Sequence, residues 1–252
     1  MENKYLMPKN FSLFLEGPGK RLSNLLFCWK VMTHFFRGLR ALHFCGPAVT
    51  VFGSARYSTS SHYYKSAEFI GTLIAEMGFT TITGGGPGLM EAANKGAYET
   101  GGYSVGCNIV LPKEQGSNPY LHTKVAIPYF FIRKTLLIKY SHAFIVLPGG
   151  IGTLDELFEA LTLTQTGKIK PFPIIVFGKE FYSPMRKQIE AMHLAGTLHM
   201  DELSNLFFTN SFEEVEYILQ EYVVKYLNLQ QAPKPYWYLL EKRKGKAYNN
   251  SQ

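Results

Sequence analysis

The sequence predicts an α/β fold, a doubly wound parallel sheet with helices on both faces. Three observations carry that expectation. Short apolar runs alternate with amphipathic segments of helical length from Ala48 to about Tyr226. The runs are apolar rather than alternating, the pattern of parallel strands covered on both faces. Glycine clusters follow three of them, at Gly53-Ser54, Gly84–Gly88 and Gly149–Gly152, where strand-to-helix turns belong.

Residues 1–47 read as an N-terminal helical extension. Its stretch from Leu22 to Phe44 is an amphipathic helix with Lys30, Arg37 and Arg40 on a polar face. A basic amphipathic helix can lie on a membrane; the expectation here is packing onto the neighbouring domain or a second subunit. Within residues 48–226, Ala48–Phe52 is a strand, His62–Met77 a helix by its apolar period, and Phe79–Thr83 a strand. Pro87–Thr100 is a helix and Tyr103–Leu111 a strand. A loop rich in Pro, Gly and Asn leads to the helix Phe131–Tyr140 and the strand Ala143–Leu147. Thr153–Thr166 is a helix, Pro173–Phe177 a strand and Glu180–Ala195 a helix. The short apolar run Leu203–Phe208 precedes the last helix, Phe212–Tyr226. Residues 227–252, with Pro233, Pro235 and Tyr236-Trp237-Tyr238, read as a basic, aromatic C-terminal tail.

Composition bounds the function classes. Of 252 residues, 46% are apolar, enough for a sizeable core. The net charge of +7 is confined to the flanks: residues 1–47 carry +5, residues 226–252 carry +4, and residues 48–225 carry −2. A protein that tracks a phosphate backbone spreads its basic residues over a folded face, so nucleic acid is a disfavoured partner. Cys28, Cys45 and Cys107 form no CxxC pair and are odd in number, which fits a reducing cytoplasm better than a disulfide framework or a zinc site. No apolar run approaches the length of about 18 residues that spans a bilayer. Leu22–Phe36 comes nearest, is interrupted by Lys30 and His34, and starts too far from Met1 for a signal peptide.

In a doubly wound sheet ligands sit beyond the carboxyl ends of the strands. The three glycine loops fall on that edge, and together they point to a phosphate or nucleotide site. No stretch reads GxxxxGK[ST], so a P-loop NTPase is disfavoured. The first turn, Gly53-Ser54-Ala55-Arg56, lacks GxGxxG spacing, and the second strand ends in Thr83-Gly84 without a ribose-binding carboxylate; a nicotinamide dehydrogenase is disfavoured as well. The helix Phe131–Tyr140 rises about 15 Å and the strand Ala143–Leu147 returns about 16 Å. Arg133 is thereby brought to the edge where Pro148 lies, within approach of Glu156. Two readings of Glu156 stay open at this point. It can act on a bound ligand, or it can close a capping box with Thr153. Glu91, early in its helix, can likewise face ligand or solvent.

Arg133-Lys134 followed by Pro148-Gly149-Gly150-Ile151-Gly152-Thr153-Leu154-Asp155-Glu156 resembles the paired signature of the "lonely guy" (LOG) family, the cytokinin-activating phosphoribohydrolases. The stretches Val51–Arg56, Thr83–Ala97 and Leu157–Thr162 are similar to the family's larger bacterial branch, and the likeness covers about residues 46–225. The resemblance implies a Rossmann-like domain and a homodimer or higher homo-oligomer. It also implies hydrolysis of the N-glycosidic bond of a nucleoside 5′-monophosphate, AMP or an N6-modified AMP, to free base and ribose 5-phosphate, without metal or organic cofactor. It makes Arg133 and Glu156 the catalytic pair, and Gly149, Gly150, Gly152 and Thr153 the phosphate cradle. Gly53, Ser54, Gly85, Gly86, Glu91 and Lys134 are the further candidate substrate contacts. Glu91 departs from the plant-type sequences, which usually carry glycine there. A non-catalytic nucleotide sensor on the same fold is the alternative. Lysine decarboxylation, a label also given to the family, would need pyridoxal phosphate on a positioned lysine, and neither Lys134 nor Lys139 is marked out for that.

Overall fold

The computed structural model describes residues 17, 19–109 and 116–224. The start of the N-terminal extension, the far end of the strand expected to reach Leu111, the last turn to Tyr226 and the basic tail lie outside the described residues.

Seven strands form one parallel sheet in the order β4-β3-β2-β1-β5-β6-β7. They are β1 (Ala48–Phe52), β2 (Thr80–Thr83), β3 (Ser104–Ile109), β4 (Thr123–Ile127), β5 (Ala143–Val146), β6 (Ile174–Phe177) and β7 (Leu206–Thr209). The helices are α1 (Arg21–Leu42), α2 (His62–Glu76), α3 (Leu89–Glu99), α4 (Phe130–Tyr140), α5 (Ile151–Gln165), α6 (Ser183–Leu194) and α7 (Phe212–Leu219). A 3₁₀ turn, Met200–Leu203, precedes β7, and a π-helical turn, Gln220–Val224, extends α7. β1, β2, β5 and β6 are buried at every position, which is why their sequences carry no polar alternation.

Two apolar layers cover the sheet. Leu42, Ile132, Leu136, Leu157, Leu161 and Ile189, from α1, α4, α5 and α6, pack on one face. Tyr64, Ile70, Ala92, Val215 and Ile218, from α2, α3 and α7, pack on the other. Phe144 shows how tight the first layer is, with Phe52 and Phe172 edge-on at ring distances of 4.8 and 4.9 Å; truncating a phenylalanine so placed costs about 3–5 kcal/mol. Helix starts are set locally. The Ser61 side chain accepts from Tyr63 N–H to cap α2, and Ser211 accepts from Glu214 N–H to cap α7. α6 starts with Pro184 in its first turn, a position where the missing N–H costs nothing.

Several elements differ from the sequence expectation. β4 lies in the stretch expected to be loop. It is an edge strand whose burial alternates, so it lacks the continuous apolar run that marks its neighbours. α6 starts at Ser183 instead of Glu180, and β7 starts at Leu206 because Met200–Leu203 winds into the 3₁₀ turn. α5 starts at Ile151, two residues before the expected Thr153.

α1 packs Val31, Phe35, Leu39 and Leu42 on the first layer, and Tyr140 donates its hydroxyl to Leu39 O at 3.1 Å. Its other side leaves Leu22, Leu25, Leu26, Trp29 and Phe36 exposed. Among the described residues no helix is long and apolar enough to cross a membrane.

Candidate active site

The chain order reverses between β1 and β5, which makes the region beyond their carboxyl ends the switch-point crevice where such sheets take their ligands. The three glycine loops meet in it. Ser54 N–H donates to Pro148 O and Leu89 N–H donates to Ser54 O, both at 3.0 Å. The first loop is therefore tied on one side to the β5–α5 turn and on the other to the start of α3. A Cβ on Gly53 would lie 2.9 Å from Leu89 Cβ and 3.2 Å from Leu147 Cβ, so only glycine lets these segments close.

Arg133 occupies the buried stripe of α4 with Ile132, Leu136 and Leu137. A cation in such a stripe needs partners, and it finds them on two elements. Its Nε donates to Cys107 O of β3 at 2.8 Å, and its Nη1 donates to Glu156 Oε1 of α5 at 2.5 Å. The side chains are 9% and 11% exposed. A Cβ on Gly84 would lie 2.6 Å from Arg133 Nη2 and 2.6 Å from Met90 Sδ. The guanidinium thus lies against the bare glycine backbone of the second loop, beside the Met90 thioether.

Glu156 serves this pair, and the capping-box reading is corrected. Because α5 starts at Ile151, its N-cap is Gly150 and Thr153 lies inside the helix. A Cβ on Gly149 would overlap the Thr153 hydroxyl, so the loop folds flat over Thr153. Burial pushes the Glu156 carboxyl above its usual range, and the Arg133 charge pulls it back only in part. Its Oε2 makes no hydrogen bond among the described residues. Lys134, next along α4, spans two other carboxylates of α5, Asp155 Oδ2 at 3.2 Å and Glu159 Oε2 at 3.0 Å. These contacts hold the Lys134 ammonium above its usual range against its burial.

Two helix N-termini face the crevice, and they differ. α5 has no side-chain cap and no acidic residue in its first turn, so its partial positive charge is unopposed and suited to an anion. α3 carries Glu91 in its first turn, and the Tyr64 hydroxyl donates to Glu91 Oε1 at 3.5 Å. In the second loop, Gly85 N–H donates to Thr83 Oγ1, and the carbonyls of Gly85 and Gly86 accept from Asn118. Gly85 and Gly86 consequently present surface more than free donors. The Ser54 hydroxyl accepts from Arg56 N–H.

Met90, Asn94, Asn118 and Tyr182 border the site and were missed in the sequence. Buried Tyr182 donates to Leu147 O at 2.8 Å, which pins the root of the third loop. Asn94, flanked by Ala92, Ala93 and Ala97 on one helix face, offered a legible signal: a polar residue in an apolar stripe. Asn118 and Tyr182 offered none.

Three comparisons bear on this arrangement. A family model described as "Possible lysine decarboxylase" matches residues 90–219. A cytokinin riboside 5′-monophosphate phosphoribohydrolase LOG of Oryza sativa subsp. japonica is 30% identical over 178 residues, covering 69% of this chain and 72% of its own. A cytokinin riboside 5′-monophosphate phosphoribohydrolase of Rhodococcoides fascians is 31% identical over 155 residues, covering 59% and 77%. The structure of a molybdenum cofactor binding protein from Rippkaea orientalis superposes with a TM-score of 0.52 at 21% identity, covering 69% of this chain and 96% of its own, and shares the fold. The glycine-bearing crevice, the Arg133–Glu156 pair and these matches together make the chain a member of the LOG family, whose model carries the description "Possible lysine decarboxylase".

Proposed function

We propose that this protein hydrolyses the N-glycosidic bond of a nucleoside 5′-monophosphate, AMP or an N6-modified AMP, releasing free base and ribose 5-phosphate. The observation that carries the reading is the buried Arg133–Glu156 pair, set one helical turn behind an uncapped helix N-terminus. The phosphate sits on the backbone N–H groups of Gly150–Gly152 at the α5 N-terminus. Fixing it there places the ribose over the pair, so remote binding energy orients the reacting carbon. The bond breaks with its electron pair passing to the base nitrogen, and C1′ develops oxocarbenium character. Glu156 Oε2 stabilises that charge or orients the attacking water, which gives its hydroxyl to C1′ and its proton to the departing base. Arg133 holds Glu156 in place and offers Nη2 to the base or the ribose. The flat backbone of Gly84–Gly86 leaves room for a planar base, with Met90 alongside.

Decarboxylation of lysine is not favoured by the residues present. A Schiff-base lysine needs a depressed pKa, whereas Lys134 is held up by two carboxylates. Lys139 is exposed in the last turn of α4, at the opposite end of the sheet from the crevice. The same proposal takes the protein as a homo-oligomer, with the open apolar side of α1 and the exposed Ile151 and Phe158 of α5 as contact surfaces.

The test is base release from a panel of AMP, GMP, CMP and prenyl-AMP, followed by chromatography. Wild-type protein should liberate base from at least one of them, and Glu156→Gln and Arg133→Ala should each abolish release while retaining the fold. Nucleotide binding without release would move the assignment to a sensor. Wild-type turnover in both variants would remove the pair from the mechanism.

A further inference from the structure

The second glycine loop is fastened from beneath by buried amides and hydroxyls that the proposed reaction does not use. Asn94 of α3 is fully buried, and both ends of its amide are satisfied. Its Oδ1 accepts from Thr83 Oγ1 at 2.5 Å and from Asn118 Nδ2 at 3.0 Å. Its Nδ2 donates to Ser104 Oγ at 2.8 Å and to Val105 O at 3.4 Å. Asn118 reaches from there to the loop: its Nδ2 donates to Gly86 O and its backbone N–H to Gly85 O, both at 3.0 Å. Thr83 Oγ1 accepts from Gly85 N–H at 2.8 Å. Three backbone groups of Gly85 and Gly86 are thus fixed by one hub that joins β2, β3 and α3. The neighbouring Gly84 is the surface against which Arg133 Nη2 lies.

We infer that Asn94 and Asn118, with Thr83, are positioning residues for Arg133: the hub sets the height of the Gly84 backbone and so the aim of the guanidinium at Glu156. The inference rests on the roles given above to Arg133 and Glu156. A buried, fully satisfied polar network is stiff, and a displacement of about 1 Å at a reacting group can cost on the order of 100-fold in rate. A hub that merely stabilised the fold would lower the amount of active protein and leave each active molecule unchanged. A hub that aims Arg133 has a second signature. Glu156 faces Arg133 and Lys134 of α4, Asp155 on its own helix and the Cys107 thiol of β3, with Glu159 one turn further along. Arg133 is the strongest influence opposing its burial. Loosening Arg133 therefore moves the acid limb of kcat/KM to higher pH.

The experiment uses the full chain with three variants, Asn118→Ala, Thr83→Val and Thr83→Ser. Thr83→Val is isosteric and removes the hub hydroxyl; Thr83→Ser retains it. With AMP as substrate, the first two should lower kcat about 10- to 100-fold and change KM by less than about 3-fold. They should also raise the acid limb by about half a pH unit or more. Thr83→Ser should keep the wild-type limb. In parallel, hydrogen exchange of the Arg133 Nε–H, read by nuclear magnetic resonance, should quicken about 10-fold or more in Thr83→Val. Should Asn118→Ala fail to fold, Thr83→Val decides. A folded Thr83→Val protein with wild-type kcat, acid limb and Nε–H protection overturns the inference. If wild-type protein releases base from none of AMP, GMP, CMP and prenyl-AMP, the proposed function fails instead. The exchange measurement then decides the inference alone, quickened exchange supporting it and unchanged exchange refuting it.

Discussion

Replacing Arg133 by methionine should make the stability of this protein strongly pH-dependent. Methionine keeps most of the stem volume in the stripe between Ile132 and Leu136, so the change isolates the charge. In the native site, Glu156 is 11% exposed and its Oε1 accepts from Arg133 Nη1. Without the guanidinium, burial and the Asp155 charge outweigh the weaker pull of Lys134, and the folded-state pKa of Glu156 moves further above the unfolded value. Between those two values the folded state holds a proton that the unfolded state lacks, so stability falls as pH rises through the window. Near pH 8 the variant carries a stranded buried charge, worth about 3–5 kcal/mol, and Tm should drop on the order of 10 °C. As pH falls the carboxyl takes up its proton, and the remaining loss tends to that of the bond from Nε to Cys107 O, about 1 kcal/mol. Adding Glu156→Gln removes the stranded charge and should restore about 2 kcal/mol near pH 8. Urea denaturation near pH 8 and near pH 5 reads all of this. An equal loss at both pH values, or strictly additive behaviour of the double variant, would refute the electrostatic account of the pair.

Three further outcomes are expected. Gly84→Ala places a methyl 2.6 Å from Arg133 Nη2 and Met90 Sδ. Both are ends of flexible side chains, so the fold should lose only about 1–3 kcal/mol, while kcat falls on the order of 100-fold; steady-state kinetics beside thermal melts check it. Tyr182→Phe deprives Leu147 O of its donor. It should cost about 1–3 kcal/mol and raise the KM for AMP about 5-fold or more, the equivalent of about 1 kcal/mol of phosphate binding. Lys134→Met breaks the ion pairs to Asp155 and Glu159 and should cost about 1 kcal/mol, less at high salt. A rise of 10-fold or more in its KM for AMP, roughly 1.4 kcal/mol, would show instead that Lys134 meets the phosphate.

The parallel sheet was legible because burial on both faces leaves strands such as Ala143–Val146 and Ile174–Phe177 with no polar residue to confuse the period. β4 was not, because an edge strand with Lys124 and Ala126 turned outward reads like the loop before it. At the site, the approach of Arg133 to Glu156 followed from the lengths of α4 and β5 alone. The start of α5 did not. Gly150 and Gly152 look like turn residues, yet Gly152 is helical, and those two positions separate a capping carboxylate from a buried ion pair. The contacts made by Asn118 depend on where the chain before β4 returns to the sheet, which no local pattern encodes.

The contacts of Arg133 also bear on when the protein becomes active. Its guanidinium joins β3 and the Gly84 turn, on one side of the β1–β5 junction, to α5 on the other. Neither half of the sheet contains a complete site. As the chain leaves the ribosome, the glycine turns and Arg133 emerge before Glu156. A partly made chain therefore lacks the Arg133–Glu156 pair, and any chemistry that needs the pair waits until the second half docks.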